Sequence, residues 1–146
     1  MAKLYLIGSL RNPAIPGIGR EIREQTHWEV FDDWFAGGYE ADDKWKQYEE
    51  ERGRTYGDAI DGENARHIFE FDKSHLDSSD AACLVAPAGR SAHLELGYMV
   101  GKASTYVLFP SMPDERWDVM YRFADYRFYC LEALIEELSK HGLEPE

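Results

Sequence analysis

The chain has 146 residues, of which 44% are hydrophobic, and a formal net charge of −12. This length and composition suit a single domain with its own core. The negative charge repels polyanions and argues against polymeric nucleic acid as a partner, although a local basic loop still allows a small anionic ligand. No apolar run approaches the length of a membrane span, so no membrane partner is expected.

The cysteines and histidines indicate neither a metal site nor a disulfide. The two cysteines and five histidines show no metal-ligand spacing, so no metal and no other cofactor are expected. Cys83 lies in an apolar run and is predicted to be a buried free thiol, which is typical of a reducing compartment. Gly8 interrupts the first apolar run before a signal peptide develops, and a cytoplasmic location is therefore expected.

Short apolar runs alternate with longer stretches of helix-forming residues along the chain. The predicted strands are residues 3–7, 28–31, 81–86, 106–109 and 128–130. The predicted helices are residues 18–26, 42–52, 61–76, 91–103 and 131–140. Residues 12–19 are rich in Pro and Gly and predict a loop. In the third helix, apolar residues recur at helical spacing, and they are Ala65, Ile68, Phe69 and Leu76.

This alternation predicts a single α/β domain with a doubly wound parallel sheet of flavodoxin or Rossmann type. Residues 32–61 are polar and aromatic and predict a helical insertion. The insertion suits a lid, a subunit contact or a partly buried surface subdomain. In such sheets ligands bind beyond the carboxyl ends of the strands. If the first and third strands are neighbours, the loops after them, residues 8–11 and 89–91, meet over one crevice.

Glu95 is the first candidate for chemistry, because it lies near the start of a helix that follows a strand and a glycine turn. A carboxylate there acts as a nucleophile or base on a ligand held at the helix start, or it only interacts favourably with the helix dipole. His93 either orients Glu95 or contacts ligand, or it has a structural role. Gly97 and Tyr98 predict close packing of this helix on the sheet.

Asp72 and the loop after the first strand are further candidates. Asp72 lies near a helix end, where the dipole disfavours a carboxylate, so it is either functional or a solvated surface residue. Gly8, Ser9 and Arg11 offer backbone N–H groups, a hydroxyl and a guanidinium, a set that suits an anion or a polar sugar. The alternative is an ordinary Gly-Ser turn.

Three motifs occur together in chain order. They are Tyr-Leu-Ile-Gly-Ser-Leu-Arg at residues 5–11, Asp72 followed by Leu76 and Asp80 before a strand, and Glu-Leu-Gly-Tyr at residues 95–98. Together they resemble the nucleoside 2-deoxyribosyltransferase-like family, which includes deoxyribonucleoside 5′-monophosphate N-glycosidases. The resemblance covers most of residues 3–109, but it does not cover the insertion.

The resemblance implies a flavodoxin-like domain that cleaves or transfers at the N-glycosidic bond of 2′-deoxynucleosides or their 5′-monophosphates. Glu95 would be the nucleophile that forms a covalent deoxyribosyl intermediate, with net retention as in retaining glycosidases. Asp72 would assist at the sugar or protonate the leaving base. Tyr5 would hold the carboxylate in line, although a core residue is the alternative for a buried strand position.

The subclasses of the family differ at the 5′ end of the substrate. Ser9, Arg11 and Ser91, with Arg90 adding charge, match the phosphate-holding set of the nucleotide hydrolases. Asp118, after the fourth strand, matches instead the carboxylate by which nucleoside transferases favour a free 5′-hydroxyl. Whether the substrate is a nucleoside or a 5′-monophosphate therefore stays open, and so does whether the enzyme is a transferase or a hydrolase.

The base preference and the partners also follow from the resemblance. Gly89 stands where nucleoside transferases carry a base-reading Asp, so base preference is open. Family members often share residues between subunits, and a homodimer or larger homo-oligomer is expected. Two other functions remain: a nucleotide-binding or sensing protein that keeps the pocket without turnover, and a structural or interaction protein whose two loops face apart.

Overall fold

The described part of the chain forms five short strands and six α-helices, with a helix or helices between successive strands. The computed structural model describes residues 2–114 and 116–141. The strands are β1 (Lys3–Ile7), β2 (Glu29–Phe31), β3 (Ala81–Val85), β4 (Ser104–Leu108) and β5 (Tyr126–Phe128). The helices are α1 (Ile15–Gln25), α2 (Ala41–Glu51), α3 (Tyr56–Ile60), α4 (Glu63–Asp77), α5 (Arg90–Met99) and α6 (Leu131–Ser139), and two 3-10 helices span Asp33–Gly37 and Val119–Phe123.

All strand pairs are parallel, and the order across the sheet is β2-β1-β3-β4-β5. This is the flavodoxin-like doubly wound order, and it confirms the predicted fold class. The chain leaves β1 towards one edge of the sheet and leaves β3 towards the other. The β1–β3 boundary is therefore the topological switch point, where ligands bind in such folds.

The period of two along β1 assigns its side chains to two separate cores. Leu4 and Leu6 pack with residues of α1 and α6 on one face of the sheet. Tyr5 and Ile7 pack on the other face, in the core that includes Leu76 of α4 and residues of α5. The alternation thus places the Tyr5 ring on the same side of the sheet as Glu95.

β1 and β3 are direct neighbours, with Leu6 paired to Cys83 and Ile7 to Leu84. Their carboxyl ends therefore lie side by side, as the crevice prediction required. Asp80 locks this register just before β3, because its carboxylate accepts from the Lys3 N–H at 2.9 Å and its own N–H donates to the Lys3 carbonyl at 2.8 Å.

The predicted loop at residues 12–19 is wrong in its second half, because α1 already begins at Ile15. Pro16 falls in the first turn, where its missing N–H costs no helical hydrogen bond. Gly19 lies inside the helix and faces the Asp32 carboxylate, which a Cβ at that position would meet. Gly19, one of the glycines that suggested a loop, thus serves close packing between α1 and the residue that follows β2.

The predicted helix at residues 61–76 corresponds to α4, and a separate short helix, α3, precedes it. A capping box between Thr55 and Asp58 begins α3. Of the apolar residues that predicted α4, Leu76 is buried, whereas Ile68 and Phe69 are 55% and 63% exposed. The helical spacing predicted the helix correctly, although Leu76 near its carboxyl end is the buried member of the set.

The insertion places half of its six aromatic residues on the surface. Tyr39, Tyr48 and Tyr56 are exposed, whereas Trp34, Phe35 and Trp45 are partly buried. Among residues 2–114 and 116–141, no helix is both long enough and apolar enough to cross a bilayer.

The carboxyl-terminal elements differ from the predicted boundaries by a few residues. β5 spans Tyr126–Phe128 rather than residues 128–130, because its register pairs Tyr126 with Tyr106 and Cys130 already caps α6. α5 stops at Met99 because Gly101 follows with a φ of 83°, a left-handed conformation that ends a helix.

Candidate active site

A hydrogen bond between Tyr5 and Glu95 forms the centre of the site. The Tyr5 hydroxyl donates to Glu95 Oε2 at 2.8 Å. Tyr5 is 1% exposed and comes from the middle of β1, whereas Glu95 is partly buried on the second turn of α5. A rigid strand and a helix that packs on the sheet thus fix both partners, which suits a group that must be held in one orientation.

The environment of Glu95 disfavours its charged form. Burial raises the pKa of Glu95 to about 7, the hydrogen bond from Tyr5 opposes this rise, and the Asp72 charge adds to it. Burial, the Glu95 charge and the Asp72 charge raise the pKa of Tyr5 far above its ordinary value. Tyr5 therefore stays a neutral donor, while Glu95 ionises near neutral pH, as catalytic carboxyl groups often do.

Asp72 faces the same centre from α4. It lies inside the helix, five residues before its last residue, and it is partly buried. Burial raises the pKa of Asp72, and a positive charge on His75 one turn later would lower it. The Asp72 charge raises the pKa of both Tyr5 and Glu95, so Asp72 lies near enough to influence the pair electrostatically.

The loop after β1 is closed by its own hydrogen bonds. Ser9 Oγ accepts from the Arg11 N–H at 3.1 Å, and the Asn12 N–H donates to the Ser9 carbonyl at 3.0 Å. Gly8 packs under Ile15 and Trp34, so its lack of a side chain serves packing as well as access. Ser9 still has a hydroxyl proton to donate, and the Arg11 side chain is exposed.

Gly89, Arg90 and Ser91 form the start of α5 at the neighbouring strand end. Gly89 is the N-cap residue and lacks neighbours around its Cβ position, and all three residues are exposed. The first turn of a helix presents free N–H groups and a positive dipole end, which favour an anion. The topology brings this turn and the Gly8–Arg11 loop to one edge of the sheet, as predicted.

Asp118 does not join this centre within the chain. Its Oδ1 accepts from the Met120 N–H at 2.9 Å and caps the Val119–Phe123 3-10 helix. Asp118 lines an open groove of about 390 Å³ together with His93, Leu96 and Gly97. Helical spacing places these α5 residues on a different face from Glu95, so this groove is separate from the Tyr5–Glu95 pair.

His93 and Gly97 differ from two of the sequence interpretations. His93 contacts Gly89 and Tyr121 instead of Glu95, so its role is structural. A Cβ at Gly97 would have no neighbour within 4 Å, so Gly97 does not mediate close packing on the sheet. It lines the groove instead.

Two residues of the site were not predicted as such. The Trp34 indole donates to the Leu6 carbonyl at 2.7 Å, and its ring lies beside Gly8. The His75 ring stacks on Phe31 at 3.8 Å, and Lys3 Nζ lies 2.9 Å from its Nδ1. For Trp34 the available signal was a tryptophan, apolar but with an N–H to donate, three residues after the end of β2. For His75 the signal was its position one helical turn after Asp72.

Among the residues that the structure describes, no three His, Cys, Asp or Glu side chains converge as ligands of a metal ion would. No known family model matches this chain, and no curated protein sequence matches it. The geometry of the site is therefore the ground on which a function is assigned.

Proposed function

We propose that this protein cleaves the N-glycosidic bond of 2′-deoxynucleosides or their 5′-monophosphates through a covalent deoxyribosyl intermediate on Glu95. The observation that carries the proposal is the 2.8 Å hydrogen bond from Tyr5 to a partly buried Glu95 at the switch point of the sheet. An immobilised carboxylate with a second carboxyl group nearby is the equipment of a retaining glycosidase. The resemblance of the three motifs to the deoxyribosyltransferase-like family points to the same reaction.

The first step forms the bond between Glu95 and the sugar. Tyr5 holds Oε2, so Oε1 is the oxygen assigned to attack C1′. The C1′–N bond breaks, its electron pair goes to the base nitrogen, and Asp72 supplies the proton. Burial raises the pKa of Asp72, which favours the protonated form that this step needs. The Glu95 charge stabilises the oxocarbenium character of the transition state.

The second step releases the sugar. Water, or the nitrogen of an acceptor base, attacks C1′ while the Asp72 carboxylate takes its proton. The C1′–Oε1 bond breaks and its electron pair returns to Glu95. Two inversions give net retention at C1′. Hydrolase and transferase activity differ only in which nucleophile enters this step.

The crevice edge supports the 5′-monophosphate over the free nucleoside. Arg11 and Arg90 are exposed on the two loops that flank it, and Ser9 and Ser91 bring hydroxyl groups. These groups and the first turn of α5 match a phosphate dianion. Asp118, the carboxylate that would repel phosphate, caps a 3-10 helix on the other side of α5 within the same chain.

A base-release assay tests the proposal. The four deoxynucleosides and their 5′-monophosphates are each incubated with the protein, with and without an acceptor base. We expect base release from monophosphates, lost in Glu95→Gln. Ligand binding without release from any substrate would favour the alternative of a nucleotide-binding or sensing protein.

We also propose a homodimer or larger homo-oligomer and a cytoplasmic location. The exposed Tyr39 and Tyr56 of the insertion, at 64% and 71%, support a subunit contact there, since large apolar groups at a surface often mark interfaces. Free Cys83 and Cys130 are compatible with a reducing compartment. Sedimentation velocity of the intact chain tests the assembly, and cell fractionation tests the location.

A further inference from the structure

His93 connects the start of α5 to the segment between β4 and β5. Its Nδ1 lies 2.7 Å from the Gly89 carbonyl, and its Nε2 lies 2.9 Å from the Tyr121 hydroxyl. A carbonyl oxygen only accepts, so Nδ1 carries the proton. In the neutral ring Nε2 is then the acceptor, and the Tyr121 hydroxyl donates to it. The two contacts thus fix both the tautomer and the ring orientation.

Tyr121 is held at its other end as well. Arg127 Nη1 donates to the Tyr121 carbonyl at 3.2 Å and to the Ala124 carbonyl at 2.7 Å. The Tyr121 ring packs edge-on against Phe109, with centroids 5.1 Å apart. The 3-10 helix that carries Asp118 at its N-cap is therefore fastened to β5 by Arg127 and to α5 by His93.

We infer that His93 and Tyr121 are positioning residues that set substrate affinity by holding the first turn of α5 and the Asp118 segment in one arrangement. The inference rests on the proposed function. His93 bonds Gly89, the N-cap of the helix whose first turn would receive the 5′ group of the substrate. Neither residue contacts Tyr5 or Glu95, so the pair acts on binding and leaves the chemical step alone.

Two tyrosines on one phenylalanine provide a matched test. Tyr121→Phe deletes the hydroxyl that donates to His93 and keeps the ring on Phe109. Tyr129→Phe deletes a hydroxyl from a tyrosine that stacks on the same Phe109 at 5.6 Å and is 45% exposed. We expect Tyr121→Phe to raise KM about 2- to 10-fold, the range of one hydrogen bond, with kcat unchanged. Tyr129→Phe should match the wild type.

A measurement that does not depend on activity accompanies the kinetics. Nitrogen-15 NMR of the imidazoles should show His93 as the Nδ1–H tautomer in the wild type and in Tyr129→Phe. In Tyr121→Phe the tautomer preference should weaken, and hydrogen exchange of residues 119–124 should become faster. An unchanged tautomer with unchanged exchange would show that the contact holds nothing in place and overturn the inference.

The kinetic results test the role of the pair in substrate affinity. A changed tautomer with an unchanged KM, or a fall in kcat at constant KM, overturns the role in substrate affinity. If the wild type releases no base from any substrate, the proposed function fails, and the role in substrate affinity fails with it. The NMR and exchange results would then still decide whether the pair positions these two segments.

Discussion

Helix α5 has two faces whose polar side chains differ in their burial and in their hydrogen-bond partners. On one face, the carboxyl group of Glu95 is partly buried, its pKa is raised to about 7, and Tyr5 is its hydrogen-bond donor. On the other face, His93 lies at an open groove with both ring nitrogens within hydrogen-bonding distance of a partner. The first face keeps a carboxyl group in an environment that disfavours its charge, and the second holds the surrounding structure in place. In the proposed mechanism the reactive group is thus a carboxyl group whose ionised form burial disfavours.

The largest contrast between the faces should appear in activity. Glu95→Gln should lower base release about a thousandfold or more, because it removes the nucleophile and keeps the shape of the side chain. Glu136→Gln on α6, an exposed glutamate, is the matched control and should be silent. Steady-state assays on the intact chain, with circular dichroism to confirm folding, make the comparison. Full activity in Glu95→Gln would contradict the proposed mechanism.

The pH profile sharpens the description of the Glu95 face. Glu95 must be ionised to attack, so activity should rise with pH through about 7, the raised pKa of Glu95, and it should fall at the pH where Asp72 loses the proton that base release needs. Tyr5→Phe removes a hydrogen bond that lowers this pKa, so the rise should move to higher pH, with activity reduced roughly 10- to 100-fold. Asp72→Asn removes a charge that raises it, so any residual activity should rise at lower pH. Shifts in the same direction for both variants would contradict this electrostatic account.

Stability should change with pH for the same reason. The folded-state pKa of Glu95, about 7, lies above its ordinary value of 4.5, so the unfolding free energy falls as pH rises between these values. Glu95→Gln lacks this loss and should be more stable than the wild type at pH 8 by up to about 3 kcal/mol. At pH 4 the difference should be much smaller. Urea unfolding at both pH values measures it, and a difference that shrinks with rising pH would refute the assignment.

The groove face of α5 should tolerate an added side chain that the Glu95 face would not. Gly97→Ala adds a methyl group where no atom lies within 4 Å. The substitution should raise the unfolding free energy by up to about 1 kcal/mol, because Ala has the higher helix propensity. Thermal unfolding compares it with the wild type. Destabilisation would show that α5 packs against something at Gly97.

The sequence predicted the fold and the Glu95 face better than the groove face, for physical reasons. Strand alternation and the switch-point rule are local and topological, so they were sufficient to predict the sheet and the two loops that meet over one crevice. The position of Tyr5 near Glu95 was expected only from the family resemblance. Gly97 and His93 were harder, because a helical glycine or histidine takes its meaning from whatever packs opposite. For His93 the neighbour is Tyr121, which is 28 residues away in sequence. Ile68 and Phe69 correctly predicted α4, but helical spacing does not show what covers a face, and both side chains are exposed.

In the proposed mechanism, Glu95 becomes covalently attached to the sugar. The most direct measurement mixes the protein with a deoxynucleoside monophosphate, quenches the reaction in acid within a single turnover, and maps the peptides by mass spectrometry. We expect a 5-phosphodeoxyribosyl group, joined through C1′ to the Glu95 carboxylate, on the peptide that contains Glu95, and no such adduct in Glu95→Gln. Base release with the adduct on another carboxylate, or with no adduct on any peptide, would contradict it.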